Sequence, residues 1–185
     1  MLDHIQQILN PYFAENCKGT IFDLREDAPE ALCEFARFRN DTGRVLVYKF
    51  DKAQKSGDNT IFPFFANGVS DLKKMCDFIL FYENKNRKNF VLLCNLKSNA
   101  KGTDSKQMEA AAVFVDFILK TAERLYGNAI VFEPKKYVHF SSNKNRMQKN
   151  TVNTRRNSDN LKKQTEFWFY STRTQFETCN LEQIC

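Results

Sequence analysis

The chain has 185 residues, of which 42% are hydrophobic and 18 are Phe, so its length and composition suit one domain with a core and exclude a disordered chain. No run approaches the ~18 consecutive apolar residues of a membrane span, and we expect no membrane partner. The net charge of +6 suits a polyanionic partner such as nucleic acid. We recognise no export signal in the sequence, and the six cysteines form no CxxC pair. We therefore expect a cytoplasmic protein with reduced thiols.

The pattern of apolar and turn residues in the first 71 positions predicts one helix and one hairpin. Apolar residues at helical spacing predict a helix over residues 2–10. Residues 29–39 are compatible either with a helix that begins at Pro29 or, in their second half, with a strand. We favour a hairpin of 34–39 with 44–51 across the turn sequence NDTG, followed by a loop region over 52–71.

The middle of the chain predicts two buried strands. Residues 76–82 form the first apolar run, residues 83–89 a charged, Asn-rich turn, and residues 90–97 the second run. A strand as apolar as the second is buried on both faces, which places it at the centre of its sheet. Cys94 lies inside this run, where a cysteine acts as a small hydrophobe.

A long helix follows these strands. Apolar residues recur at i, i+3, i+4 and i+7 between Met108 and Leu125, Asp104 can cap the helix, and Gly127 ends it. The apolar face is widened by Val113, Phe114 and Phe117, so we expect the helix to be covered on more than one side.

The remainder of the chain is less informative. Strands are predicted at 129–132, 137–140 and 166–176. Between the last two, residues 141–165 carry seven Lys or Arg against one Asp, which predicts a mobile basic loop. This loop suits either a nucleic-acid clamp or a solvated segment.

Three polar residues at the ends of the two buried strands form the candidate site. Phosphodiester hydrolysis needs a metal to polarise the phosphate and a cation to stabilise the charge that develops, and magnesium prefers carboxylate oxygens. An Asp at a bend before one strand, with an acid and then a Lys two residues later on its neighbour, meets this need, because residues i and i+2 share a face. Asp77, Asn95 and Lys97 occupy these positions.

The runs CDFILF, FVLLCNLKS and GTDSKQMEAAAVFVDFIL resemble the D…(D/E)xK…Q core of PD-(D/E)xK nucleases, which include restriction endonucleases and Holliday-junction resolvases. They are also similar to small prokaryotic proteins of that superfamily, over roughly residues 30–126. The resemblance implies one α/β domain over 1–185, with a restriction-endonuclease-like mixed central sheet flanked by helices. It also implies Mg²⁺- or Mn²⁺-dependent hydrolysis of DNA phosphodiesters.

The same resemblance implies roles for individual residues. Asp77 matches the metal-binding Asp, and Lys97 matches the catalytic Lys that positions water and stabilises the phosphorane. Gln107 matches a Gln that supports the site in some subfamilies, although Asp104 and Gln107 also have capping-box spacing. Asn95 departs from the pattern, because the family has a metal-binding Asp or Glu there and an amide offers only a neutral oxygen.

Three explanations of Asn95 remain open. The protein is a natural degenerate nuclease, or another carboxylate such as Glu109 or Asp104 replaces the missing acid, or an engineered Asp→Asn substitution has removed the activity. An upstream acid is expected to complete the metal site, and we favour Glu34. The other candidates for this ligand are Glu26, Glu30 and Asp51.

Two functions follow from this sequence, and for the first an RNA-directed nuclease is the alternative to one that acts on DNA. The first is a metal-dependent nuclease acting on DNA, compromised by Asn95 and resembling components of prokaryotic antiviral defence systems. An ATPase, another defence subunit or a homo-oligomer is then the expected protein partner. The second is a catalytically degenerate nuclease fold that serves as a nucleic-acid- or protein-binding subunit.

Overall fold

A computed structural model gives the fold of the chain. It describes residues 1–26, 33, 35–50, 75–97, 104–127, 131–141, 166–171 and 178–185. Within these ranges no helix combines the length and the apolarity that a bilayer crossing requires. The predicted loops over 52–71 and 141–165 lie outside the described residues, apart from position 141.

The described elements confirm an α/β fold that contains two sheets. In chain order they are α1 (Leu2–Ile8), a 3₁₀ helix (Pro11–Phe13), β1 (Ile21–Arg25), β2 (Phe35–Arg39), β3 (Arg44–Tyr48), β4 (Phe78–Glu83), β5 (Asn89–Lys97), α2 (Asp104–Tyr126), β6 (Lys136–Ser141), β7 (Glu166–Ser171), β8 (Thr178–Asn180) and α3 (Leu181–Ile184). The prediction missed β1, β8 and α3.

The larger sheet has the strand order β3-β4-β5-β6-β7. The pairs β3–β4 and β4–β5 are antiparallel, whereas β5–β6 and β6–β7 are parallel, so the sheet is mixed. The connection from β5 to β6 runs through α2, as a parallel crossover requires. The predicted central position of β5 is confirmed, because this strand is third of five and its apolar residues are buried on both faces.

Alternation along β4 and β5 divides the core into two parts. Ile79, Phe81, Val91 and Leu93 face α1 and α2, in a cluster that includes Met108 and Ala111 of α2. The alternate residues of both strands pack against Phe22, Leu24, Ala36 and Phe38 of the smaller sheet. The larger sheet therefore has helices on one face and a second sheet on the other.

The predicted hairpin of 34–39 with 44–51 is wrong in its pairing. β2 pairs antiparallel with β1 and parallel with β8, whereas β3 pairs with β4 in the other sheet. The intervening turn is held by Asn40, whose side chain accepts from the Gly43 N–H (3.0 Å) and donates to the Gly43 carbonyl (2.9 Å). The turn therefore carries the chain from one sheet to the other, and each strand finds its partner elsewhere.

The prediction for the long helix is confirmed in extent and for Phe114, which packs against Phe50, but it is wrong for Val113 and Phe117. α2 spans Asp104–Tyr126, and Gly127 follows it at φ 69°. Val113 and Phe117 are 70% and 66% exposed, because they lie opposite Ala111 and Val115, which face the sheet. They do not widen the buried face.

The strand predicted over 129–132 is not formed at residues 131 and 132, which are irregular. Phe132 instead packs against Phe81 at a ring-centroid distance of 6.0 Å. The strands predicted at 137–140 and 166–176 are confirmed as β6 and β7, with residues 172–177 outside the described part.

Candidate functional site

Asp77 lies at a bend directly before β4, as the sequence predicts. Its side chain is buried, and its Oδ2 accepts a hydrogen bond from the backbone N–H of Leu96 at 2.6 Å. A backbone donor on β5 therefore fixes the Asp77 carboxylate at the end of the central strand.

Asn95 is fully buried near the end of β5. Its Oδ1 accepts a hydrogen bond from the backbone N–H of Asp77 at 3.1 Å. The Asn95 side chain thus accepts from the backbone of Asp77, and the Asp77 side chain accepts from the backbone of the residue that follows Asn95. This pair of hydrogen bonds is called here the Asp77–Asn95 clamp. The clamp extends the β4–β5 contact beyond the pair Phe78–Cys94, and it brings together two of the predicted site residues.

The amide nitrogen of Asn95 is buried and has no hydrogen-bond partner within the described part of the chain. The orientation of the amide follows from the clamp, because a flipped amide would direct its NH₂ group at the Asp77 N–H. An acid at this position could keep the bond to Asp77 with one oxygen. Its second oxygen would then occupy the place where Asn95 has a donor.

The clamp lies between the larger sheet and the helix layer. Asn95 continues the alternate positions Val91 and Leu93 of β5, which pack against α1 and α2. These apolar neighbours make the surroundings of the clamp a medium of low dielectric constant, in which an unpaired polar group is costly. The unpaired NH₂ group of Asn95 therefore lowers stability, so the needs of the core do not explain an Asn at this position.

Other predicted site residues are only partly described. Lys97 ends β5, where its backbone lies opposite Ser141 of β6, and its side chain falls outside the described part. Gln107 lies in the first turn of α2 and is half-buried, and Glu109 is exposed on the same helix. The backbone of Asp104 begins this helix.

The predicted upstream acids include one residue that is described. Glu34, Glu30 and Asp51 lie outside the described residues. Glu26 follows β1 of the smaller sheet and is half-buried.

Lys49 is a buried charged residue that sequence reasoning missed. Its Nζ donates to the Arg25 carbonyl at 3.0 Å and lies 5.3 Å from the ring centroid of Phe78. Lys49 therefore lies between the two sheets, on the face of β4 opposite to the clamp. A Lys inside the apolar run VLVYKF was the signal for it, because Lys is rarely buried without a partner.

Cys94 precedes Asn95 and faces the smaller sheet. Burial raises the pKa of its thiol well above the usual value, and the neighbouring Cys76, Cys179 and Asp77 act in the same direction. The neutral thiol is an apolar component of the core, in agreement with the interpretation from the sequence.

The side chains of the clamp do not form the magnesium site that the resemblance implies. Magnesium requires hard oxygen ligands in near-octahedral geometry, but Asn95 has committed its oxygen to the Asp77 N–H and has a donor as its other atom. In the described ranges, no group of three His, Cys, Asp or Glu residues is placed to hold a metal ion. Asn95 thus offers a metal only one neutral oxygen, which already accepts from the Asp77 N–H, and no negative charge.

Comparison of the chain with protein-family models, curated proteins and solved structures found no match.

Proposed function

We propose that the chain is a DNA-binding protein of the PD-(D/E)xK nuclease type, with a restriction-endonuclease-like larger sheet, whose metal-dependent hydrolysis is compromised by Asn95. The proposal is supported by the position of Asp77 before β4, next to Asn95 near the end of the central strand β5. The helix α2, which follows β5, supports the same assignment.

One observation carries the functional part of the proposal. The buried Nδ2 of Asn95 lies where the second oxygen of the family's acid would lie, and it is a donor without a partner among the described residues. A donor cannot ligate a cation, so the site lacks the second carboxylate that, together with Asp77, would concentrate metal beside a phosphodiester. DNA binding does not need this metal, and the net charge of +6 favours a polyanionic partner.

With an acid restored at position 95, Asp77 and Lys97 would have separate roles in hydrolysis. The Asp77 carboxylate would hold the metal, and the metal would supply polarisation of the phosphate and activation of water. Lys97 would stabilise the charge that develops on the phosphate. With Asn95 in place the chain binds DNA without cutting it.

The Asn95→Asp variant is expected to cleave DNA about 100-fold faster than the native chain or more, because it restores the charge that stabilises a metal in the transition state. The measurement is cleavage of plasmid, linear duplex, single-stranded DNA and RNA with Mg²⁺ or Mn²⁺, for the native chain, Asn95→Asp and Asn95→Glu. If the Asn95→Asp variant cleaves RNA in preference to DNA, the substrate of the proposed nuclease is RNA and not DNA.

Two control variants separate the site from general effects of charge. Asn89→Asp makes the same substitution at the opposite end of β5, at another buried Asn, and should leave the chain inactive. Lys97→Ala, added to Asn95→Asp, should abolish the gained cleavage. Equal cleavage by the native chain and Asn95→Asp would refute the proposal, and so would gained cleavage that survives Lys97→Ala.

A further inference from the structure

The outer face of the smaller sheet carries arginine and aromatic side chains. Alternate residues of β1 and β2 point into the core, so the remaining ones point outward. The outward residues of the two strands are Ile21, Asp23, Arg25, Phe35, Arg37 and Arg39, and they are called here the arginine face.

The strand register arranges this face in three rows. Ile21 lies opposite Arg39, Asp23 opposite Arg37, and Arg25 opposite Phe35. Successive rows are two residues apart along the strands, a spacing of about 7 Å. The face therefore presents guanidinium groups and an aromatic ring at regular intervals on a rigid support.

Phe35 is half-buried and lies close to two guanidinium groups. The Cζ atoms of Arg25 and Arg37 are 5.7 Å and 5.4 Å from its ring centroid. Arg37 is fixed by two hydrogen bonds to the Asp23 carboxylate, at 2.7 Å and 3.0 Å. Asp23 thus orients Arg37, and those hydrogen bonds hold the pKa of the Asp23 carboxyl below its usual value.

Two arginines of the face are available to a ligand in solution. The side chains of Arg25 and Arg39 are 69% and 54% exposed. Arg25 contacts Asp23 at 3.1 Å and Arg39 contacts Asp41 at 2.7 Å, but exposed ion pairs of this kind are weak and are readily exchanged for phosphate. With three arginines against Asp23 and Asp41, the face keeps a positive charge.

We propose that the arginine face binds single-stranded nucleic acid, with phosphates at Arg25 and Arg39 and a base stacked at Phe35, in the place over the ring that the exposed Arg25 guanidinium leaves when it binds phosphate. A single strand exposes the faces of its bases to an aromatic ring, whereas a duplex buries them in its own stack. Arginine suits such a surface, because its planar group both stacks and donates to phosphate. The inference extends the proposed nucleic-acid-binding role, but it depends on a different sheet from the Asp77–Asn95 clamp.

Fluorescence anisotropy of a labelled oligothymidylate of about 12 nucleotides, without metal, tests this proposal on the full chain. Phe35→Ala and the double variant Arg25→Ala/Arg39→Ala should each weaken binding about 10-fold, and Phe35→Tyr should retain it. The double variant should also lower the salt dependence of binding, since about two phosphate contacts are lost. Circular dichroism melts establish that each variant is folded.

The matched control is Lys85→Ala/Lys88→Ala, which removes the same charge from the exposed turn between β4 and β5 and should change affinity less than 2-fold. Equal weakening by this control would contradict the proposal. Tighter binding of a duplex of the same length, or competition by polyglutamate as effective as that by unlabelled oligothymidylate, would also contradict it. The native chain is used without metal, so this result is independent of whether Asn95→Asp gains cleavage.

Discussion

Replacing Asn95 by alanine is expected to lower the free energy of unfolding by about 2 kcal/mol, because it leaves the buried N–H of Asp77 without an acceptor. The loss of the unpaired Nδ2 offsets part of this cost, since that donor is itself buried without a partner in the described ranges. Urea denaturation followed by circular dichroism measures the change as a shift of the midpoint at constant m-value.

A double-mutant cycle with Asp77→Ala tests whether the Asp77–Asn95 clamp acts as a unit. Asp77→Ala removes the acceptor of the Leu96 N–H, and this bond and the Asn95 bond join the same two chain segments. We expect a coupling of about 1 kcal/mol between the two substitutions, because losing one bond lets the segments separate and weakens the other. Additivity within about 0.3 kcal/mol would contradict the clamp.

Gly43→Ala is expected to lower the free energy of unfolding by about 3 kcal/mol. A Cβ atom at Gly43 would lie 2.6 Å from the carbonyl oxygen of Glu83 and closer still to Cε2 of Tyr82. Glu83 is part of β4 and Tyr82 is fully buried, so neither neighbour can move without disturbing the sheet. The measurement is again urea denaturation.

Gly127→Ala serves as the control for Gly43→Ala. Gly127 has φ 69° after α2, and a Cβ there would meet nothing within 4 Å, so only backbone strain of about 1 kcal/mol is expected. If both variants lost the same stability, close packing at Gly43 would not be the cause.

The central strands and the long helix could be predicted from local patterns. β5 has six apolar residues among its nine, and α2 has a clear 3.6-residue period. Each pattern is contained in one segment, so each could be recognised without knowledge of the rest of the fold. The contact between Asp77 and Asn95 was also predictable, since the antiparallel β4–β5 pair brings the start of one strand to the end of the other.

Strand pairing could not be predicted from the same patterns. The NDTG turn is equally compatible with a hairpin and with a change of sheet, and only the pairing of β2 with the distant strands β1 and β8 decides between them. β1 carries a strand signal in its alternation of Phe22 and Leu24 with Asp23 and Arg25. Val113 and Phe117 were misassigned because their apolar character does not show which side of α2 faces the sheet.

The chemistry of the site depends on the hydrogen bonds of individual side-chain atoms, which the order of residues in the sequence does not show. The sequence predicts that Asn95 weakens a metal site, but not that its oxygen accepts from Asp77 or that its nitrogen has no partner in the described chain. These features arise from the exact approach of two strands. Lys49 was missed for a similar reason, because its partner is the carbonyl of Arg25 in the other sheet.

The most direct test of the central claim is the thermal unfolding of the native chain, Asn95→Asp and Asn95→Glu, each with and without Mg²⁺ or Mn²⁺, with Asn89→Asp as control. Metal at about 100 times its Kd should stabilise Asn95→Asp by about 2.7 kcal/mol, which raises the Tm of a chain of this size by about 5–10 °C. The native chain and Asn89→Asp should show no metal-dependent shift. Stabilisation of the native chain equal to that of Asn95→Asp, or no stabilisation of either acidic variant at position 95, would contradict the account.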